Sequence, residues 1–278
     1  MCMDCGPLIK AIDAYIEKAD SDLADALAEE GYAKTKKTVK YIEELEEEIA
    51  EALMEETDYF VSAAEKAVDL EAFAEDIWPK LKLNDELKEK LIAIFTEQFG
   101  QFMPEFIEYY IEQTDKDLKL EQVSKRTTAW VEEWSEELGD LMKLNSHKEI
   151  EDILKKGLKD GSSVATFTRD ILDSGIRDEY YKARRAAITE VLRAHSVAQQ
   201  EAFMQSPAVK KKMWRHTGSY RNNPRKNHRD MDGQIVPVSE PFELRGIKGG
   251  TYKLMYPRDS ALPPEESINC HCITQPVV

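Results

Sequence analysis

Cysteine is scarce: the 278 residues hold four, at positions 2, 5, 270 and 272. A disulfide scaffold is thereby excluded, and free thiols or a metal site remain as their uses. Long hydrophobic runs are missing as well. None approaches the about 20 residues needed to cross a bilayer, and the opening Met1-Cys2-Met3-Asp4-Cys5 lacks the basic-then-apolar order of a secretory signal. The expectation is a cytoplasmic chain without a membrane partner. Internal repeats, low-complexity tracts, a phosphate-cradling glycine loop and a nucleophile elbow are all absent. Positive charge is thin in one half only. Residues 1–150 hold 17 Lys and Arg against 38 Asp and Glu, a net of −21, whereas residues 151–278 hold 21 against 16, a net of +5.

An apolar fraction of 42% is enough to build cores in one large domain or two ordinary ones. From Pro7 to about Leu144, apolar residues recur at three- and four-residue spacing, as in Ile42, Leu45, Ile49, Leu53 and in Leu87, Leu91, Ile94, Phe95, Phe99, Phe102. Five or so helices follow, arranged as a bundle or as extended hairpins. Breaks are expected at Gly31, at Trp78-Pro79, between Gly100 and Pro104, and at Leu144-Asn145-Ser146-His147. The acid-dense stretch 43–56 reads as a solvated helix face beside an apolar stripe, or else as a docking face for a basic partner.

Beyond residue 146 helical spacing continues through 150–158 and, after Gly161-Ser162-Ser163, through 164–172. A long helix then covers 177–204, with Tyr181, Ile188, Val191, Leu192 and Ala198 facing a core and Pro207 ending it. Short strand-like runs follow at 212–217, 234–238, 251–255 and 272–277, divided by Asn222-Asn223-Pro224, Asp232-Gly233 and Gly249-Gly250 turns. The fold class is α+β: an acidic helical domain at 1–145, then a small α+β domain at 146–278 whose few strands pack on a long helix.

The polar, loop-rich C-terminal stretch carries a series of motifs in order. Thr189-Glu190 and Arg193 lie on a helix, Trp214 on a strand, and Arg225, His228, Asp232 and Gly233 at a turn. Phe242, Pro257-Arg258-Asp259 and Asn269-Cys270-His271-Cys272 follow. This order resembles the C-terminal domain of phage Mu F-like minor head proteins over residues 150–278, with His271 standing where that family often has arginine. The resemblance implies a structural and assembly protein of a tailed-phage head, present in few copies and acting in morphogenesis near the portal. It implies portal or major capsid proteins as partners, with double-stranded DNA and a second copy of the chain as further candidates. The implied location is the host cytoplasm during assembly and then the inside of the virion head.

Three chemical readings stand beside the resemblance. On a strand, residues two apart share a face, so Cys270 and Cys272 can present both sulfurs to one ion while His271 points away. Zinc is the candidate cofactor; it needs two more ligands, which His228 with Asp232, Asp230 or His216 can supply. Cys2 and Cys5 have a chelating spacing of their own but read as surface thiols near a chain end. Secondly, His228 amid Arg225, Lys226 and Arg229 offers a nuclease or toxin-like alternative: His228 as general acid or base and Arg225 or Arg229 stabilising phosphate. Structural or solvated roles are the commoner fate of such a histidine, and no catalytic residue is assigned. Thirdly, residues 181–230 hold 12 Lys and Arg against three acids, a net of +9. Lys210, Lys211, Lys212, Arg215, Arg221, Arg225 and Lys226, interleaved with Trp214 and Tyr220, suit contact with a nucleic-acid backbone. Pairing with the acidic N-terminal half is the equal alternative.

Overall fold

The computed structural model describes residues 6–115, 117–118, 123–217 and 224–277. Helices α1 (Gly6–Glu29) and α2 (Thr35–Ala64) come first, then short α3 (Leu70–Ala72), a π-helical turn (Phe73–Ile77) and α4 (Trp78–Leu81). Long helices α5 (Glu86–Thr114), α6 (Lys125–Asp160) and α7 (Val164–Gln205) complete the helical part. Strands β1 (Lys211–Arg215), β2 (Ile235–Pro237), β3 (Phe242–Arg245), β4 (Thr251–Leu254) and β5 (Ile273–Val277) follow, with α8 (Lys226–Asp230) and α9 (Pro264–Ser267) between them. The α+β class with a long helical N-terminal half is what the sequence pattern implies. No described helix is long and apolar enough to cross a membrane.

Side chains set the helix ends. Asp69 accepts from Ala72 N at 2.8 Å, Ser163 from Thr166 N at 3.1 Å, and Ser124 from Thr127 N at 3.3 Å, each satisfying an orphan first-turn donor. Gly161 ends α6 at φ 66, a left-handed cap that suits glycine.

The chain divides into two compact units, each assembled from separate stretches. One comprises residues 44–101 and 124–187. Its core joins Phe60, Phe73, Trp78, Ile150, Leu154 and Phe167, with His147 edge-on to Phe60 and Trp78 and 3.2 Å from Glu56. Helices α5 and α6 approach closely at Gly139, where a Cβ would lie 2.8 Å from Ile92 Cγ1. In the acid-dense stretch, Leu45, Ile49 and Leu53 are buried, while Glu46 reaches Arg184 at 2.7 Å.

The other unit comprises residues 1–43, 102–123 and 188–278. Its antiparallel sheet has the order β2-β1-β5, with Trp214 opposite Thr274, and β3 pairs with β4 through Phe242 and Leu254. Residues 189–203 of α7 are buried on all sides, so the polar residues among them all need partners inside the protein. Gln199 meets Thr274 Oγ1 at 3.1 Å and Gln200 donates to Val238 O at 2.9 Å, which fastens both sheet edges to the long helix.

Several expectations need correction. Helix α5 runs straight through Gly100 and Pro104. The buried stripe Phe95, Phe99, Phe102, Phe106 outweighs the roughly 3 kcal/mol that an interior proline costs. Helix α6 likewise continues through 144–147, because Leu138, His147, Ile150 and Leu154 form one buried face; the expected division at 145/146 lies inside it. The segments read as 164–172 and 177–204 are one helix, and Tyr181 on it is 59% exposed instead of facing the core. Strand β3 was not expected.

Candidate metal centre

Strand β1 alternates between faces: Lys212 and Trp214 are buried, and the chain leaves the strand at His216. Helix α8 holds His228 at its centre, 2% exposed. Cys270 and Cys272 lie in the segment just before β5, not on the strand expected for them, and both are buried. These three segments converge. One ligand atom each from His228, Cys270 and Cys272 lies within 4.8 Å of the others. His228 Nδ1 is 3.4 Å from Cys270 Sγ and 3.9 Å from Cys272 Sγ, and His216 Nδ1 is 3.5 Å from Cys272 Sγ. Behind the ring, His228 Nε2 meets Glu266 Oε2 at 3.0 Å; that carboxylate also accepts from Asn227 Nδ2 and from Ile247 N at 2.7 Å. His271 turns away, its Nδ1 2.7 Å from Glu30 Oε2.

The electrostatics of this cluster favour a thiolate. A hydrogen bond from the Cys272 thiol, with one from His228, holds Cys270 well below the usual thiol range, and the same pairing, with burial, pushes Cys272 up. Burial pulls the His228 ring down, but bonding to Cys270 and Glu266 outweighs it and the pKa is raised. Burial lowers His216, opposed by the charge of Asp232. A buried set of thiolate and imidazole donors can take a soft divalent cation or persist as an ion pair.

The remaining motif residues hold this cluster in place. Arg193 and Glu190, both 4% exposed, pair at 2.8 Å, and the Arg193 guanidinium also donates to Arg258 O. Arg258 has φ 63, a left-handed conformation that costs a non-glycine residue free energy. Its neighbour Asp259 fixes the turn by accepting from Met255 N at 2.8 Å and Ala261 N at 3.1 Å. The fully buried Arg258 guanidinium donates to Cys270 O and to Ser196 Oγ. Helix, turn and cysteine segment are thus linked through two arginines.

Residues 148–275 match the family described as phage Mu protein F like protein. The C-terminal stretch of this chain is thus similar to Mu F-like proteins. The family is structural and points to phage head morphogenesis. The uncharacterized protein YqbB of Bacillus subtilis is 40% identical over 194 residues, which cover 70% of this chain and 62% of that protein. An NAD(+)–arginine ADP-ribosyltransferase, EFV, of Enterococcus faecalis is 32% identical over 125 residues, 44% of this chain and 24% of that protein. No solved structure gives a significant match.

This Mu F-like stretch brings only some of the sequence candidates together. Of the expected metal ligands, Cys270, Cys272 and His228 converge, whereas Asp232 lies beside them: its carboxylate accepts from His216 N at 2.9 Å and faces Arg215 at 3.6 Å. Lys212, expected on a nucleic-acid surface, is fully buried, bonding Gln200 Oε1 at 3.0 Å and Met255 O at 2.7 Å. Trp214 is core and offers no stacking face. Arg225 donates to Ile268 O at 2.6 Å. Lys210, Lys211, Lys226 and Arg229 are exposed. Arg221, Tyr220, Cys2 and Cys5 lie outside the described residues. Sequence reasoning missed Glu266 and Arg258; the one advance sign of Arg258 was the Pro-x-Asp step it occupies.

His195, on the same helix two residues after Arg193, is fully buried between Thr38 Oγ1 at 2.9 Å and Tyr110 Oη at 3.0 Å and stacks on Phe106. Burial, and then the Arg258 cation, hold its pKa well below the usual imidazole value, so the folded protein keeps it neutral. The unfolded chain takes up a proton near pH 6.5 that the folded chain refuses, and stability must fall as pH drops below that point. The slope from this residue approaches about 1.4 kcal/mol per pH unit well below 6.5 and amounts to about 1 kcal/mol between pH 6.5 and 5.5. Urea unfolding at pH 6.5 and 5.5 should show this loss, and a His195→Gln variant should lack that share of it. Equal losses in both proteins contradict the assignment.

Proposed function

We propose that the chain is a structural and assembly protein of a tailed-phage or prophage head, acting in head morphogenesis near the portal. The observation that carries this reading is the use to which the family motif is put. Glu190, Arg193, Trp214, His228, Arg258 and Cys270 are buried and bonded to one another's segments, as befits residues that build a domain instead of lining a cleft. The acidic helices and the stretch that matches the family divide the work, although the chain between them is continuous through α6. The Mu F-like domain docks on portal or inner shell protein, and the acidic half, repelled by packaged DNA, stays on protein partners. The protein resides in the host cytoplasm during assembly and in the head interior afterwards.

The surroundings of His228 favour the assembly reading over the nuclease alternative. Both ring nitrogens of His228 are engaged within the protein, at 3.4 Å and 3.0 Å, and the ring is 2% exposed. A DNA-contact role rests on the exposed Lys210, Lys211 and Lys226 without Lys212. Co-expression of the full chain with portal protein is expected to yield a complex that survives purification. Failure to bind either portal or major capsid protein counts against the proposal.

A further inference from the structure

We propose that Cys270, Cys272, His228 and His216 form a closed structural zinc site, with Glu266 as the carboxylate that orients His228. Regular tetrahedral coordination, with Zn–S about 2.3 Å and Zn–N about 2.0–2.1 Å, places sulfur and nitrogen ligands roughly 3.6 Å apart. The observed separations, 3.4, 3.5 and 3.9 Å, bracket that value. Two thiols and an imidazole buried together, with no disulfide between the thiols, form a soft-donor set suited to Zn²⁺.

Three ligands already stand within 4.8 Å of one another, and the fourth is His216 and not Asp232: the His216 ring lies against Cys272 alone and has to turn toward the other two to close the site. Asp232 spends one oxygen on the His216 backbone N–H, which positions that residue, and faces Arg215. His216 points its Nδ1 at Cys272 and is half-buried at the edge of the cluster, where an ion can enter. Glu266 completes a carboxylate–histidine arrangement: accepting from Nε2 frees Nδ1 as the ligating nitrogen and fixes the ring plane. Four protein ligands leave no open position for a substrate, so the ion's work is mechanical. It ties the end of β1, helix α8 and the segment before β5 into one piece. On binding, each thiol still protonated gives its proton to solvent, and the two thiolates balance the charge of the ion.

The test uses the full chain, prepared free of metal and titrated with Zn²⁺ or Co²⁺. One ion per chain is expected, and the Co²⁺ form should show the visible bands and sulfur-to-metal charge-transfer absorption of a tetrahedral dithiolate site. Cys270→Ser with Cys272→Ser should abolish both, and Glu266→Gln should weaken binding by about 10–100-fold. His216→Ala should weaken binding and change the Co²⁺ spectrum, whereas Asp232→Asn should leave the spectrum unchanged. Cys2→Ser with Cys5→Ser serves as control and should keep the ion. Absence of Co²⁺ absorption in the wild-type chain overturns the proposal even if the cysteine variants fail to fold. Loss of the ion in the Cys2/Cys5 variant with retention in the Cys270/Cys272 variant overturns it too.

Discussion

An Arg193→Met variant is expected to unfold at least about 3–5 kcal/mol more easily than the parent, the penalty for breaking a buried pair from one side. Methionine fills much of the same volume, so the loss is electrostatic. The buried Glu190 carboxylate would lose the guanidinium 2.8 Å away. The Arg258 carbonyl would lose a donor at a backbone position already strained by a left-handed φ of 63. A Glu190→Gln/Arg193→Met double variant should recover part of the loss, because the carboxylate that the guanidinium faced is neutral as well. Urea unfolding of the three proteins measures both effects. A single variant within 1 kcal/mol of the parent would show that the pair carries no such burden.

Trp214→Ala is expected to cost about 3–5 kcal/mol, the range for emptying a large aromatic site in a core that cannot collapse. Trp214 is fully buried in the middle of the β2-β1-β5 sheet, edge-on to Phe242 at 5.4 Å and to His228 at 6.2 Å between ring centroids. Leu244, Leu254 and both C-terminal cysteines belong to the same cluster. The cavity would therefore loosen the wall behind His228 as well as the sheet. Trp214→Phe, which leaves a smaller void, should lose markedly less. Equal losses for the two variants would mean that the indole's contacts, not its volume, matter.

Much of the helical half was legible because burial there is striped. Ile42, Leu45, Ile49 and Leu53 mark the inner face of α2 without ambiguity. Local punctuation proved weaker than that stripe at Pro104 and at Asn145-Ser146, where apolar faces on both sides kept the helix intact. What no local signal reveals is that α2, α5 and α7 each pass from one compact unit to the other, since contact between distant stretches decides it. Strand β3 escaped because Phe242 and Leu244 are its only apolar positions, alternating with charged Glu243 and Arg245. The cysteine and His228 convergence could be inferred from donor chemistry and spacing.

The misplacement of Lys212 has a local cause. Period-two alternation outward from Trp214 places Lys212 and His216 on the inner face of β1 and its continuation. Read by charge and not by that face, Lys212 goes to solvent, which its burial overturns. Burial of Lys212 is tolerated because Gln200 Oε1 and Met255 O receive its protons and the Phe242 ring lies 5.2 Å from its Nζ. Glu266 and Arg258 act on residues far away in sequence, through contacts that exist only in the folded chain.

Purified, DNA-filled heads analysed by quantitative mass spectrometry put the assembly role to its most direct trial. The chain should be found in them at a few copies per particle, and heads should form poorly when its Mu F-like domain is deleted. Particles that assemble normally and contain none of it, in cells that make the protein abundantly, would contradict a role in building the head.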